Sequence, residues 1–217
     1  MANKNLFTRH LENLCKKYPS LTECCTSIQA AYNILIKTVH KKGTIIVCGN
    51  GGSAADSEHI VGELMKGFLK RRPIEKSLQQ RLVDAFPEIG GTLADNLQSP
   101  ITAISLTCHQ SLTTAFNNDV SADLTFAQQL LGYGKQGDSL LAISTSGNAK
   151  NVINAAILAR VLEINVIGLT GASGGKLKKL CDVCISVPES STPSIQELHL
   201  PVYHTLCAMI EAHFFSV

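Results

Sequence analysis

Charge is scarce in this sequence, and what there is nearly cancels. Lysine and arginine number 19 against 17 aspartates and glutamates, so 217 residues carry a net charge of +2. That balance gives no footing for electrostatic binding of nucleic acid. With 45% apolar residues against 17% charged ones, a disordered chain is also excluded. The basic residues gather at 16–17, 37–42, 66–76 and 176–179 in short pieces split by apolar residues, and read as solvated helix faces and loops. No run approaches the ~18 apolar residues of a membrane span. Met-Ala-Asn-Lys-Asn at the N-terminus leads into no apolar signal core. The expectation is a cytoplasmic protein with neither a membrane nor a nucleic acid as partner. Internal repeats, low-complexity tracts and linkers are missing, and the P-loop pattern Gly-x-x-x-x-Gly-Lys-Ser/Thr occurs nowhere.

Cysteine is present in some number, at eight positions. Cys15, Cys24, Cys25, Cys48, Cys108 and Cys207 lie in apolar or periodic surroundings and read as small buried hydrophobes. Cys181 and Cys184 form a Cys-x-x-Cys pair, but the second pair or His-x-His partner of a structural zinc site is lacking. An alternating strand over Cys181–Val187 accounts for that spacing without a metal.

The chain is organised around residues 44–68. Thr44 to Cys48 form a short β-branched, apolar run, which predicts a buried strand. Gly49, Gly51 and Gly52 follow, and Ser53 is expected to cap a helix, with Asp56 three residues on. Strand, glycine turn and helix N-terminus make an anion site, because N–H groups and the helix dipole point into the turn. His59 and Glu63 lie four apart on one face of that helix.

Two helices are expected before this strand, carrying Leu6, Leu11, Leu14 and then Ile28, Tyr32, Leu35, Ile36 and Val39, with a Ser20–Glu23 capping box between them. Residues 71–100 are the least regular stretch: a short helix up to Pro87, ended by Gly90-Gly91. Further strands are predicted at 101–106, 139–143, 165–169 and 183–187. Helices are predicted at 109–116, 124–131 and 149–162, with a turn at Asn117-Asn118-Asp119. The last helix is expected to open at Ser194 with Glu197 completing a capping box, and to bend at Pro201. Strands and helices alternating at this spacing give one α/β domain over 1–217: a five-stranded parallel sheet with helices on both faces, extended by N-terminal helices over 1–42.

In such a sheet ligands bind where strands end, near a switch in strand order. Two strands end in serine-bearing turns, Asn50-Gly51-Gly52-Ser53 and Ser144-Thr145-Ser146-Gly147-Asn148, which suits a phosphate monoester. Gly49-x-Gly51-x-x-Ala54 also matches a loose dinucleotide fingerprint. The acidic residue that fingerprint wants ~20 positions on is replaced by the basic, irregular stretch 66–76. Gln196, His199 and His204 fall on or near one side of the final helix. His59, Glu63 and His204, with Gln196, suit either general acid and base work or N/O ligation of a zinc-like metal, and spacing alone leaves both open.

Cys-Gly-Asn-Gly-Gly-Ser (48–53), His-x-x-x-Glu-Leu (59–64), Ile-Ser-Thr-Ser-Gly-Asn (143–148), Leu-Thr-Gly-x-x-Gly-Gly-Lys (169–176) and Ile-Gln-Glu-x-His-x-x-x-x-His (195–204) together resemble the phosphoheptose isomerases of the sugar-isomerase (SIS) superfamily. The resemblance implies a flavodoxin-like SIS fold, a homotetramer, and interconversion of sedoheptulose 7-phosphate and D-glycero-D-manno-heptose 7-phosphate through an enediol. It implies Glu63 and His204 as acid and base, and one Zn2+ held by His59, Glu63, Gln196 and His204. It further implies a substrate site of Asn50, Gly51, Gly52, Ser53, Asn118, Asp119, Ser144, Thr145, Ser146, Asn148 and Gln196. Two features depart from the family pattern: Ala149 stands where a further serine is usual, and 71–100 resembles an insertion. The rival readings are a non-catalytic SIS protein that binds the replication initiator DnaA, an isomerase of another ketose phosphate, and a nucleotide-binding oxidoreductase. The presence of both Glu63 and His204 speaks for an enzyme.

Overall fold

The computed structural model describes residues 2–215, with side chains from residue 9 onward. Two helices, α1 (Ala2–Lys17) and α2 (Cys25–His40), precede the first strand, β1 (Ile45–Cys48). The chain then runs through α3 (Gly52–Met65), α4 (Lys76–Ala85), α5 (Gly90–Asn96), β2 (Ala103–Ser105), α6 (Gln110–Phe116) and α7 (Thr125–Tyr133). It ends with β3 (Ser139–Ile143), α8 (Lys150–Val161), β4 (Asn165–Thr170), β5 (Val183–Ser186) and α9 (Thr192–Phe214).

All five strands are parallel, in the order β2-β1-β3-β4-β5. This is the flavodoxin-like order, in which the switch point lies between β1 and β3. Alternation along the strands sends side chains to two cores. Ile45, Val47, Leu141, Ile143, Ile167 and Leu169 meet α2, α3 and α9 on one face, while Ile46, Leu140, Ala142 and Val166 meet α7 and α8 on the other. Both faces of the central strands are therefore buried, which is why β1 and β3 read as unbroken apolar runs. Each fully buried Ile, Leu or Val contributes about 1.5–3 kcal/mol of transfer free energy.

Several local expectations are corrected. Gly51, not Ser53, precedes α3; its φ of +56° suits glycine, and Ser53 lies inside the first turn. Pro19–Cys24 is a 3₁₀ turn without the Ser20–Glu23 box, because Pro19 sits at the start of that turn. Gly90-Gly91 opens α5 rather than ending a helix. Asn117–Ser121 continues α6 as a π turn, so no break follows Phe116. Ser191, three residues earlier than Ser194, caps α9, because Pro193 takes a first-turn position where no N–H is needed. Leu14 is buried and Leu11 packs beside it; the side chain of Leu6 lies outside the described residues.

The cysteines also divide differently. Cys24, Cys48 and Cys207 are buried, Cys108 is exposed, and Cys15 pairs with Cys25 between α1 and α2. Cys181 lies outside β5, and its sulfur turns back to face Gly168 together with that of Cys184. The alternating strand thus explains Cys184 but not Cys181.

Residues 74–97 leave the body as a hairpin of α4 against α5. Its neck is closed by the antiparallel bridge Pro73–Gln98 and by Ser99 N–H donating to Arg72 O at 2.7 Å. No residue of α4 is buried.

Candidate active site

The cradle forms at the switch point. β1 and β3 are adjacent, so the turns that follow them face each other across one cavity of about 390 Å³. Asn50, Gly51, Gly52, Ser53, Ser144, Thr145, Ser146, Ala149, Thr192 and Gln196 line it. Three helices begin there: α3 at Gly52, α8 at Lys150 and α9 at Thr192. Three positive dipole ends and five hydroxyls converge on a pocket without a lysine in its lining, which suits a dianionic phosphate monoester.

The loops are braced from behind. Asn50 and Asn151 exchange a pair of amide hydrogen bonds, each 2.9 Å. The Ser146 hydroxyl accepts from Asn148 N–H at 3.1 Å, which leaves its proton to donate. Asn148 is spent on the scaffold: Oδ1 accepts from Lys176 N–H at 3.1 Å and Nδ2 donates to Ser146 O at 2.9 Å. Leu177 N–H donates to Gly147 O at 2.9 Å, so the segment after β4 supports the second serine turn. A Cβ on Gly52 would collide with the Gln196 carboxamide, so glycine there lets α9 approach α3.

α3 and α9 run side by side in the same direction away from the cradle, with Gln196 against Gly52 and His204 against His59. At 1.5 Å per residue the ten positions from Ser53 to Glu63 span about 15 Å. At the far end His59 Nε2 stands 3.2 Å from Glu63 Oε1 and 3.5 Å from His204 Nε2. Lys66 Nζ donates to Glu63 Oε2 at 3.1 Å. His204 packs on the Phe68 ring at 5.4 Å. Burial, then the neighbouring His59, lowers the pKa of His204, with Glu63 opposing.

Behind His59 lies a relay absent from the sequence reading. The Tyr203 hydroxyl donates to Asp56 Oδ1 at 3.2 Å and meets His59 Nδ1 at 3.1 Å. Having given its proton to Asp56, Tyr203 accepts from His59 Nδ1–H, so the His59 Nε2 lone pair faces Glu63 and His204. Two acceptors in that position are reconciled by a shared proton or a cation. Burial, then the Asp56 carboxylate, pushes the Tyr203 phenol up, and burial raises Asp56.

Of the residues singled out from sequence, two groups assemble: Asn50 to Ser53 with Ser144 to Ser146 and Gln196, and His59 with Glu63 and His204. Asn118 and Asp119 do not join either. They lie exposed on the π turn after α6, Asn118 donating to Asp119 at 2.9 Å. Gln196 belongs to the cradle, its carboxamide against Gly52, and among the described residues forms no hydrogen bond with His59, Glu63 or His204. Among the described residues no group of three or more His, Cys, Asp and Glu side chains is arranged to hold a metal ion as it stands. Asn151, Thr192, Asp56 and Tyr203 are additions. The spacing of Asp56, His59 and Glu63, three and then four residues, carries a signal for Asp56, whereas the Asn50–Asn151 pair crosses between loops and leaves none.

A family model for the SIS domain matches residues 7–84 and 79–171. The phosphoheptose isomerase of Rhodospirillum rubrum is 38% identical over 191 residues, covering 88% of either chain. That of Helicobacter pylori is 36% identical over 211 residues, 97% of this chain and 95% of the relative. The solved phosphoheptose isomerase of Neisseria gonorrhoeae superposes with a TM-score of 0.70 at 31% identity, over 97% of this chain and 96% of that one. Fold, cradle and sequence agree: the chain belongs to the SIS-domain family, among the phosphoheptose isomerases.

Proposed function

We propose that this protein interconverts sedoheptulose 7-phosphate and D-glycero-D-manno-heptose 7-phosphate. The observation that carries the reading is the α3–α9 pair, which joins a phosphate cradle at one end to an acid/base cluster at the other. A sugar phosphate long enough to span them places its carbonyl end at Glu63 and His204. Ser53, Ser144, Thr145 and Ser146 hold the phosphate, aided by the three helix N-termini. Glu63 takes the proton from C1 of the ketose, forming the enediol, and returns it to C2. His204 gives a proton to O2 and takes one from O1, so the exchange balances. Tyr203 and Asp56 hold His59 with its lone pair toward this centre.

The donors also suit zinc. Ligands about 2.0–2.1 Å from a tetrahedral zinc stand roughly 3.3 Å apart, and the His59–Glu63 and His59–His204 separations are 3.2 and 3.5 Å. His59, Glu63 and His204 would hold the ion, with Gln196 as fourth donor after leaving its contact with Gly52. Such an ion supplies Lewis-acid polarisation of the sugar carbonyl. Metal analysis of the purified protein is expected to find one zinc per chain, and full turnover by metal-free protein would refute this role.

On the same reading the protein is a cytoplasmic homotetramer acting early in the supply of heptose for surface polysaccharides. Met65, Leu69 and Leu200, exposed by 44%, 60% and 41%, support a subunit contact beside the acid/base end. Sedimentation tests the assembly. Turnover of sedoheptulose 7-phosphate to an aldoheptose phosphate, within a panel of ketose phosphates, tests the activity; turnover of another member alone would replace the substrate assigned.

A further inference from the structure

α3 ends without a glycine cap: Lys66, its last flanking residue, is fully extended at φ −136° and ψ 177°. The final carbonyls of such a helix have no N–H partner within it. Here Leu64 O accepts from Ile101 N–H at 2.9 Å, and a side chain from outside supplies further donors. Arg72 Nη1 donates to Leu64 O at 2.8 Å, and Nη2 donates to Glu63 O at 3.1 Å. Arg72 Nε donates to Glu211 Oε1 at 2.7 Å, the two side chains being 0% and 1% exposed. The Glu211 carboxylate also accepts from the N–H groups of Phe68 at 2.8 Å and Leu69 at 2.7 Å. The guanidinium lies 4.8 Å from the Phe215 ring centroid.

These bonds meet both halves of the acid/base centre. One goes to the backbone of Glu63 itself. Another fixes the backbone of Phe68, whose ring packs on His204. Glu211 stands on α9, seven residues after His204, so the ion pair also ties the end of α3 to the helix that carries the imidazole. A buried ion pair is a weak source of stability, since apolar side chains of similar volume often serve as well. What apolar side chains cannot supply is the set of directed bonds to Glu63 O, Leu64 O, Phe68 N and Leu69 N.

We infer that Arg72 and Glu211 are positioning residues for the isomerisation: by fixing the backbone at Glu63 and Phe68, they set the Glu63 carboxylate against the His204 imidazole. The inference rests on the acid/base reading given above. A reacting group misplaced by ~1 Å costs on the order of a hundredfold in rate. The double variant Arg72→Met/Glu211→Leu removes the directed bonds while keeping the site filled. It is expected to unfold thermally as a single cooperative species, with kcat for the heptulose phosphate down about tenfold or more. KM should stay near its original value, because the phosphate cradle lies at the other end of α3. Wild-type kcat in the folded double variant would overturn the inference, and so would a rise in KM matching the fall in kcat, which marks general loosening. Should the double variant fail to fold, Arg72→Lys retains the charge opposite Glu211 but has no fork to reach both carbonyls, and unchanged kcat there overturns the inference equally. Imidazole ring NMR of the seven histidines separates this failure from failure of the activity itself. If the unaltered protein does not turn over the sugar, the variants must still shift the His59 and His204 ring signals and leave that of His109 in place; unmoved rings would refute the positioning role.

Discussion

The two ends of the α3–α9 pair solve opposite problems. The cradle is built from hydroxyls, two carboxamides and helix N-termini, none of which changes charge near neutral pH. The far end is built from two imidazoles, a carboxylate and a lysine, with a Tyr203–Asp56 relay behind them. Holding a dianion needs fixed partial charges, whereas moving a proton needs groups that titrate, and separation along two helices keeps these tasks apart. If the division is real, a change at one end alters kcat and a change at the other alters KM. The largest break is expected from Glu63→Gln, which removes the proton acceptor but keeps the shape. General acid/base catalysis is worth 10²–10⁴-fold, so kcat should fall about 10³-fold, or about 4 kcal/mol, with KM little changed. A loss expressed mainly in KM would mean that Glu63 binds sugar rather than moving its proton.

Between the ends sits His199, buried on α9, where neither ring nitrogen makes a well-aligned hydrogen bond among the described residues and the Thr170 backbone offers only a weak one. Burial pushes its pKa down to about 4 from 6.5. Its folded value lies below the unfolded one, so the unfolded chain binds the extra proton first. The stability that neutral His199 provides is complete above about pH 6.5 and is lost as pH falls towards 4. At 1.36 kcal/mol per unit the loss approaches about 3 kcal/mol. Denaturant unfolding between pH 7 and pH 4.5 reads it directly, and His199→Leu should flatten that part of the profile. An unchanged slope in the variant would place the acid sensitivity elsewhere.

Much of the two-ended arrangement was legible in advance. β1 and β3 are buried on both faces, so apolar runs located them, and the serine turns after them named the cradle. His59 and Glu63 share a helix face by spacing alone. Caps were read less well, because proline decided them: Pro193 shifted the start of α9 to Ser191, and Pro19 drew a 3₁₀ turn where a serine–glutamate box was expected. Contacts between distant segments left no periodic trace. The Asn50–Asn151 exchange and the Arg72–Glu211 pair join residues 101 and 139 positions apart, and each residue alone is unremarkable in sequence. Asn118 and Asp119 show the reverse, being marked by motif yet standing outside both groups.

A smaller effect is expected at the cradle. Thr145→Val keeps the volume and removes one hydroxyl from a pocket meant for a charged oxygen. A hydrogen bond to a charged group is worth about 1.5–3 kcal/mol, so KM and the Kd for inorganic phosphate should rise roughly tenfold or somewhat more. With kcat unchanged this is the mirror image of Glu63→Gln. A fall in kcat instead would show that the phosphate anchor also sets the sugar in its reactive pose, and the two ends would then be coupled.

The smallest effect is expected at Phe86, in the hairpin that leaves the body between Arg72 and Ser99. Phe86 is 62% exposed, and α4, which it follows, buries no residue of its own. Serine there removes apolar surface that water already reaches, so stability should change by less than about 0.5 kcal/mol. Neither kcat nor KM should move, since no hairpin residue lines the cradle or touches His59, Glu63 or His204. Unfolding at several protein concentrations makes the test sharper. A monomeric contribution is independent of concentration, whereas for a hairpin covered by another subunit the Phe86→Ser loss would shrink on dilution, as the subunits part and the contact disappears. A loss that shrinks in this way would make the hairpin part of the assembly, and the comparison would then need a third region beside the cradle and the acid/base end.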